Sequence, residues 1–86
     1  MEFKMPEYFY REFRVCYEIR AKHNSHVFFE ASGYVQSLTN IGTTNQLINF
    51  STEFATAEGA IREIKKIMED YIDFEWEQFY RIQDSY

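Results

Sequence analysis

The sequence predicts an α+β fold, a three-stranded antiparallel β-meander packed by one long C-terminal α-helix in the order βββα. Two observations predict it. Apolar and polar residues alternate through most of the first 55 residues, as they do in half-buried strands. From residue 57 onward the apolar residues recur at the spacing of an amphipathic helix. At 86 residues the chain is predicted to be one domain, 1–86, with an N-terminal tail at 1–6.

The first strand is predicted at 8–22, where aromatic and β-branched residues alternate with charged ones. Arg11 interrupts the apolar parity, so the strand either bulges there or begins after it. Tyr10 falls on the polar parity and is expected on the open face of the sheet, together with Phe28 and Tyr34 of the next strand. The apolar parity, which is expected to face the core, comprises Phe9, Phe13, Val15, Tyr17, Ile19 and Ala21.

Two further strands are predicted at 27–38 and 47–55, each preceded by a polar segment that contains turn-forming residues. Gly33, in the middle of the second strand, indicates a bulge or a close approach by another element. In the third strand, Ile48 and Phe50 share the inward parity. Hairpin-like connections make antiparallel neighbours, and therefore a meander, the expected topology.

The helix is predicted at 57–82, with Thr56 as its N-cap residue. Between Ile72 and Glu77 apolar and acidic residues also alternate, so a strand is the competing interpretation. We favour a continuous helix because no Gly, Pro or Asn occurs from Ala60 to Tyr86. Its 26 residues would form a rod of about 39 Å. A compact domain of this length is only about 31 Å across, so the last turns are expected to overhang the sheet.

The negative charge of the chain lies at its C-terminal end. Residues 69–86 contain six carboxylates and one basic residue, Arg81, whereas residues 1–68 are neutral overall. Carboxylates near a helix C-terminus are disfavoured by the helix dipole, so stability does not explain them. Aromatic residues alternate with them, and Phe74, Trp76 and Tyr80 are expected to point away from the core. The predicted partner-binding residues are Asp73, Phe74, Glu75, Trp76, Glu77 and Tyr80.

These features favour a small, non-catalytic interaction protein. Its acidic, aromatic helix end would bind a basic surface of another protein, which could make it an inhibitor that competes with nucleic acid for that surface. Direct binding to nucleic acid is not expected, because that requires a basic surface. A competing interpretation is that the rings complete a small core while the carboxylates keep the helix end soluble.

A second functional hypothesis is a homo-oligomeric protein that binds a small, nucleotide-like ligand. It would use the 40–46 loop and the open face of the sheet, and its candidate ligand-binding residues are Thr43, Thr44, Asn45 and Gln46. A homodimer could form through the open sheet face or through the helix end, because partly aromatic open faces commonly mediate dimerisation.

Other function classes lack support in the sequence. There is no catalytic or cofactor-binding motif, so the chain is predicted not to be an enzyme and to need no cofactor. His23, His26 and Cys16 make a poor zinc ligand set, so no metal site is predicted. No apolar run approaches the ~20 residues of a membrane span, and the first residues do not resemble a signal peptide. A single cysteine excludes an internal disulfide framework, so a cytoplasmic location is expected.

Overall fold

The computed structural model of the chain describes residues 6–23, 27–38 and 47–84. They form one antiparallel sheet with the strand order β1-β2-β3-β4, followed by a single C-terminal helix, α1. The α+β class, the antiparallel pairing and the C-terminal helix therefore agree with the sequence prediction, but the number of strands was wrong by one. The elements are β1 (Glu7–Tyr10), β2 (Phe13–His23), β3 (Val27–Ser37), β4 (Ile48–Phe54) and α1 (Ala57–Asp84).

The additional strand arises because the predicted strand at 8–22 is a β-hairpin. Tyr10 pairs with Phe13, which leaves Arg11 and Glu12 as a two-residue turn between β1 and β2. Both turn residues have positive φ angles, 46° for Arg11 and 67° for Glu12. A type I′ hairpin turn has positive φ at both central residues and normally carries Asn or Gly there. Neither residue type is present, so the usual sequence signal for the turn is missing.

The two-residue turn also reverses which residues of β1 face the core. Residues paired across an antiparallel ladder share a face, so Tyr10 lies on the same side as Phe13, and Tyr8 lies on the same side as Val15. Tyr8 and Tyr10 therefore pack against the core beneath α1, whereas Phe9 lies on the open face with 65% of its surface exposed. The expected placement of Tyr10 on the open face and of Phe9 on the core face was wrong.

Helix α1 runs back along β4 and covers one face of the sheet. Gly59 at its start lies beside Phe54, the last residue of β4, and Tyr71 lies beside Phe50, farther back along that strand. The side chains between helix and sheet form the core, which comprises Phe13, Val15, Ala31, Val35, Ala60, Ile64, Met68 and Ile72.

Gly33 is the position where helix and sheet approach most closely. In the register of the sheet it lies between Tyr17 on β2 and Phe50 on β4. A Cβ atom at Gly33 would lie 3.1 Å from Sδ of Met68 and would overlap the carbonyl oxygen of Cys16. Pairing continues through Gly33 on both sides, so the glycine permits a close approach and not a bulge.

The helix begins as predicted and continues without interruption. The backbone N–H of Gly59 donates to Oγ1 of Thr56 over 3.0 Å, as an N-cap side chain accepts it from the third helical residue. Helix α1 has 28 residues, which corresponds to about 42 Å. The strand interpretation of the segment after Ile72 was therefore wrong. The molecule measures 55 × 28 × 17 Å along its principal axes. The helix continues from Trp76, which bonds the β1–β2 turn at one end of the sheet, to Asp84.

Candidate functional site

The acidic helix end, which we define as residues 73–80, lies against the β1–β2 turn. Nε1 of Trp76 donates a hydrogen bond of 2.7 Å to the backbone carbonyl oxygen of Arg11. The Arg11 guanidinium carbon lies 5.8 Å from the centroid of the same indole ring, within the range of a cation–π contact. Trp76 is therefore half-buried beside the turn, and the expectation that it points away from the core was wrong.

Asp73, about one helical turn before Trp76, contacts the same β1–β2 turn. Its Oδ1 accepts hydrogen bonds from Nη1 of Arg11 over 2.8 Å and from the hydroxyl of Tyr10 over 2.9 Å. The Arg11 hydrogen bond, supported by that from Tyr10, holds the pKa of Asp73 below its usual value. Asp73 is thus satisfied within the chain.

A third contact continues this series along β1. The Tyr8 hydroxyl donates to Oε2 of Glu69 over 2.7 Å, and burial together with this carboxylate raises the pKa of Tyr8. Four helical residues rise by about 6 Å, and two strand residues advance by about 6.6 Å. The step from Glu69 to Asp73 therefore matches the step from Tyr8 to Tyr10. These two contacts hold the helix against β1 between Glu69 and Asp73.

Glu75 lies on the sheet-facing side of the helix, where an unpaired carboxylate would be costly. It is half-buried, and it accepts a hydrogen bond from the hydroxyl of Tyr71. Burial and this hydrogen bond raise the pKa of Tyr71 to about 12. The Tyr71 ring in turn packs on Phe50, with the ring centroids 5.4 Å apart. Tyr71 thus connects Glu75 to the core.

Three residues of the acidic helix end face solvent and form what we call the outer ridge: Phe74, Glu77 and Tyr80. Phe74 is 54% exposed and Tyr80 is 51% exposed. Glu77 is three residues from each ring and is therefore a neighbour of both on the helix surface. The two rings are six residues apart and point about 120° apart around the helix axis. Glu77 forms an ion pair of 2.8 Å with Arg81, and the Tyr80 ring stacks on Trp76 with the centroids 5.8 Å apart. Tyr80 thus packs on Trp76, which is itself bonded to the β1–β2 turn.

The structure therefore divides the six predicted partner-binding residues into two groups. Asp73, Glu75 and Trp76 are half-buried and bind other residues of the chain, whereas Phe74, Glu77 and Tyr80 are exposed even though Glu77 pairs with Arg81 and Tyr80 stacks on Trp76. Arg11 was not predicted to be part of this site, although it contacts both Asp73 and Trp76. The interruption of the apolar parity at Arg11 was the available signal, because a turn there explains it as well as a bulge does.

The alternative site is described only in part, because Thr43, Thr44, Asn45 and Gln46 lie outside the described residues. On the open face of the sheet there is a shallow groove of about 470 Å³. Its charged lining residue, Glu18, forms an ion pair with Arg20 and accepts a hydrogen bond from the Ser32 hydroxyl. The groove is lined by Glu18, Ser32, Gly33, Tyr34, Asn49, Phe50 and Ser51.

The chain's cysteine, Cys16, lies on the open face of the sheet and is covered by neighbouring side chains. Cys16 is 3% exposed, and its thiol lies 3.6 Å from Oε2 of Glu7. The Tyr34 hydroxyl hydrogen-bonds the same thiol, which raises the pKa of Tyr34. Phe28 and Tyr34 are half-buried, so these two open-face rings are less exposed than the sequence indicated.

Among residues 6–23, 27–38 and 47–84, no three histidine, cysteine or acidic side chains are grouped as metal ligands would be. Of the residues that the structure describes, none forms a helix with the length and apolar character needed to cross a membrane. Comparison of the chain with protein-family models, with curated proteins and with solved structures found no match.

Proposed function

We propose that this chain is a non-catalytic interaction protein whose outer ridge binds a basic surface of another protein. The observation that supports this most directly is the exposure of Phe74 and Tyr80, each about half exposed, on a helix that is hydrogen-bonded to the sheet. Aromatic side chains on a rigid helix can bury large areas at low entropic cost, which is typical of interface hot spots. Because Trp76 supports Tyr80, that ring is preorganised for binding.

The charge around the ridge favours a basic partner. Asp70, Asp73, Glu75 and Glu77 lie on or next to the acidic helix end, and Arg11 and Arg81 compensate only part of their charge. Such a surface attracts a basic partner over several ångströms and accelerates the encounter at low salt. Phe74 and Tyr80 lie on the two sides of Glu77, about 120° apart around the helix axis, so the two rings would contact opposite walls of a groove in the partner that receives the helix. A groove that binds nucleic acid is basic, so an inhibitor of such a protein fits the proposal.

The test removes the rings without touching the residues that position the helix. Phe74→Ser combined with Tyr80→Ser should abolish capture of a specific basic protein by the tagged chain. The matched control is Phe9→Ser, because Phe9 is an equally apolar exposed ring on the opposite face of the sheet. The captured protein is then purified, and its affinity for the wild-type chain should fall steeply between about 50 and 200 mM salt. Equal capture by the double variant and the control would refute the proposal.

The groove on the open face supports a second candidate function, binding of a small polar ligand. Its lining offers hydroxyl groups, the Asn49 amide and the Tyr34 ring, but the described lining residues include neither Lys nor Arg. Phosphate groups therefore have no cationic partner in it, and an uncharged nucleoside or sugar fits better than a nucleotide. A thermal-shift screen of nucleosides and sugars tests this, with Asn49→Ala as the variant that should lose the shift. Stabilisation by nucleotides alone would contradict the expected ligand class.

A further inference from the structure

The two edges of the sheet differ in how they are protected against pairing with another chain. The edge formed by β1 is four residues long and follows Pro6, and both features discourage further pairing. The edge formed by β4 has seven residues without Gly or Pro, and its pairing with β3 is regular. In the described part of the chain nothing pairs with its outer side. The alternate backbone N–H and C=O groups of β4 that point outward are therefore available to another strand.

Apolar side chains are exposed at both ends of this edge. Leu47, directly before β4, is 49% exposed, and Phe54, its last residue, is 43% exposed. A strand that pairs antiparallel with β4 would bring one of its own ends next to each of these residues. Apolar residues at both ends of that strand would cover Leu47 and Phe54. A second copy of β4 has an apolar residue at each end, so it can cover both.

We infer that β4 pairs with β4 of a second copy of this chain, antiparallel and about a two-fold axis through Ser51. Ser51 is the middle residue of Ile48–Phe54, so this register alone pairs all seven residues. It places Ile48 opposite Phe54 of the other copy and Phe50 opposite Thr52, and all four face the helix side of the sheet. The result is a continuous eight-stranded sheet with both helices on one face.

The charge pattern of β4 fits this register. Glu53 is the one charged residue of the strand, and the register places it opposite Asn49, whose amide can donate to the carboxylate. A register shifted so that Glu53 lay on the two-fold axis would place two carboxylates directly opposite each other, which is destabilising. Ser51, which this register places opposite Ser51 of the second copy, is small, uncharged and exposed.

Charges introduced at Ser51, on the proposed two-fold axis, test the pairing. Ser51→Lys and Ser51→Glu each place two like-charged side chains directly opposite each other, with Cα atoms about 4.5–5.5 Å apart across the two-fold axis. Sedimentation velocity should show a dimer for the wild-type chain and at least tenfold weaker dimerisation for each variant. An equimolar mixture of the two variants should regain the dimer, because the charges are then opposite. Circular dichroism shows whether each variant is folded. A wild-type chain that stays monomeric up to about 1 mM, or variants that dimerise as the wild type does, would overturn the inference.

Disulfide formation tests the register independently of affinity. Two residues directly opposite on antiparallel strands have Cα atoms about 4.5–5.5 Å apart, which suits a disulfide. Ser51→Cys should therefore cross-link under mild oxidation. Asn49→Cys should not cross-link, because residue 49 lies opposite Glu53 of the second copy. Residue 49 of that copy is four residues farther along the strand, a distance of about 13 Å. Cys16 is present in both variants and is buried, so it contributes the same background. Cross-linking by Asn49→Cys alone would overturn the register.

The pairing does not depend on the outer ridge. The variant that carries Phe74→Ser and Tyr80→Ser should dimerise like the wild type even where it loses its partner. Loss of the dimer in that variant would overturn the β4 inference and identify the helix end as the contact. The two-fold arrangement would present two outer ridges on one face of the sheet, which run in opposite directions.

Discussion

Replacement of Gly33 by alanine should be among the most destabilising single-methyl additions in this protein. The new Cβ atom would overlap the carbonyl oxygen of Cys16 on the neighbouring strand and would lie 3.1 Å from Sδ of Met68. The methionine can rotate, but the carbonyl belongs to the β2–β3 ladder and cannot move without separating the strands. Overpacking of a core costs about 1–3 kcal/mol. Because the backbone has to move here, we expect Gly33→Ala to lower the free energy of unfolding by about 3 kcal/mol, the upper end of that range.

The matched control is Gly59→Ala on the helix. Its Cβ would overlap the ring of Phe54 and would lie 2.9 Å from Oγ1 of Thr56, but both neighbours are side chains that can move, and Phe54 is 43% exposed. Alanine is more favourable than glycine in a helix by up to about 1 kcal/mol, the value for an interior position, and Gly59 lies in the first turn of α1. The two effects oppose each other, so the free energy of unfolding should stay within about 1 kcal/mol of the wild-type value. Neither glycine has a φ angle in the left-handed region, so the contrast is steric.

The assay is urea unfolding, followed by circular dichroism at 222 nm and by the fluorescence of Trp76. With a slope of about 1–3 kcal/mol per molar urea, the midpoint of Gly33→Ala should fall by about 1–3 M. Coincident transitions by the two probes show that the sheet–helix unit and the Trp76 contact unfold together. If Gly33→Ala shifted the midpoint no more than Gly59→Ala does, the close approach at Met68 and Cys16 would not exist as described.

Three further outcomes are expected. Thr56→Ala should lower the free energy of unfolding by about 1 kcal/mol in the same assay, whereas Thr56→Ser, which keeps the hydroxyl that accepts from Gly59, should cost less than half of that. Because the folded state lowers the pKa of Asp73, its contribution is present above the usual carboxyl pKa and is lost as pH falls through the lowered value. The stability difference between wild type and Asp73→Asn should therefore shrink below about pH 4, and a pH-independent difference would contradict the Arg11 contact. Finally, the buried Cys16 thiol should react with a disulfide reagent at least about a thousandfold more slowly than in urea-unfolded chain, and a fast reaction in the folded state would show that Glu7 and Tyr34 do not cover it.

Local sequence patterns predicted the elements whose signals are local. Thr56 and the apolar stripe from Ala60 to Ile72 predicted the helix and its start, because capping and amphipathicity depend on residues within a few positions of one another. The alternation in β2 predicted the inward residues Phe13, Val15, Tyr17 and Ile19 correctly, whereas Ala21, near the end of the strand, is exposed. The same alternation in β1 was extended across Arg11 and Glu12 and gave the wrong face, because a two-residue turn reverses the parity without a glycine to mark it.

The candidate site was predicted as a segment but not as a surface. The sequence determined that the carboxylates and rings of residues 73–80 share one helix. It also determined that the helix would outrun a compact core, since both follow from composition and rise per residue. Only the tertiary structure decided that Asp73 and Trp76 bind the β1–β2 turn and that Phe74, Glu77 and Tyr80 remain outward. Those contacts join residues more than sixty positions apart, and the pairing of β1 that creates them depends on a turn that local periodicity does not reveal.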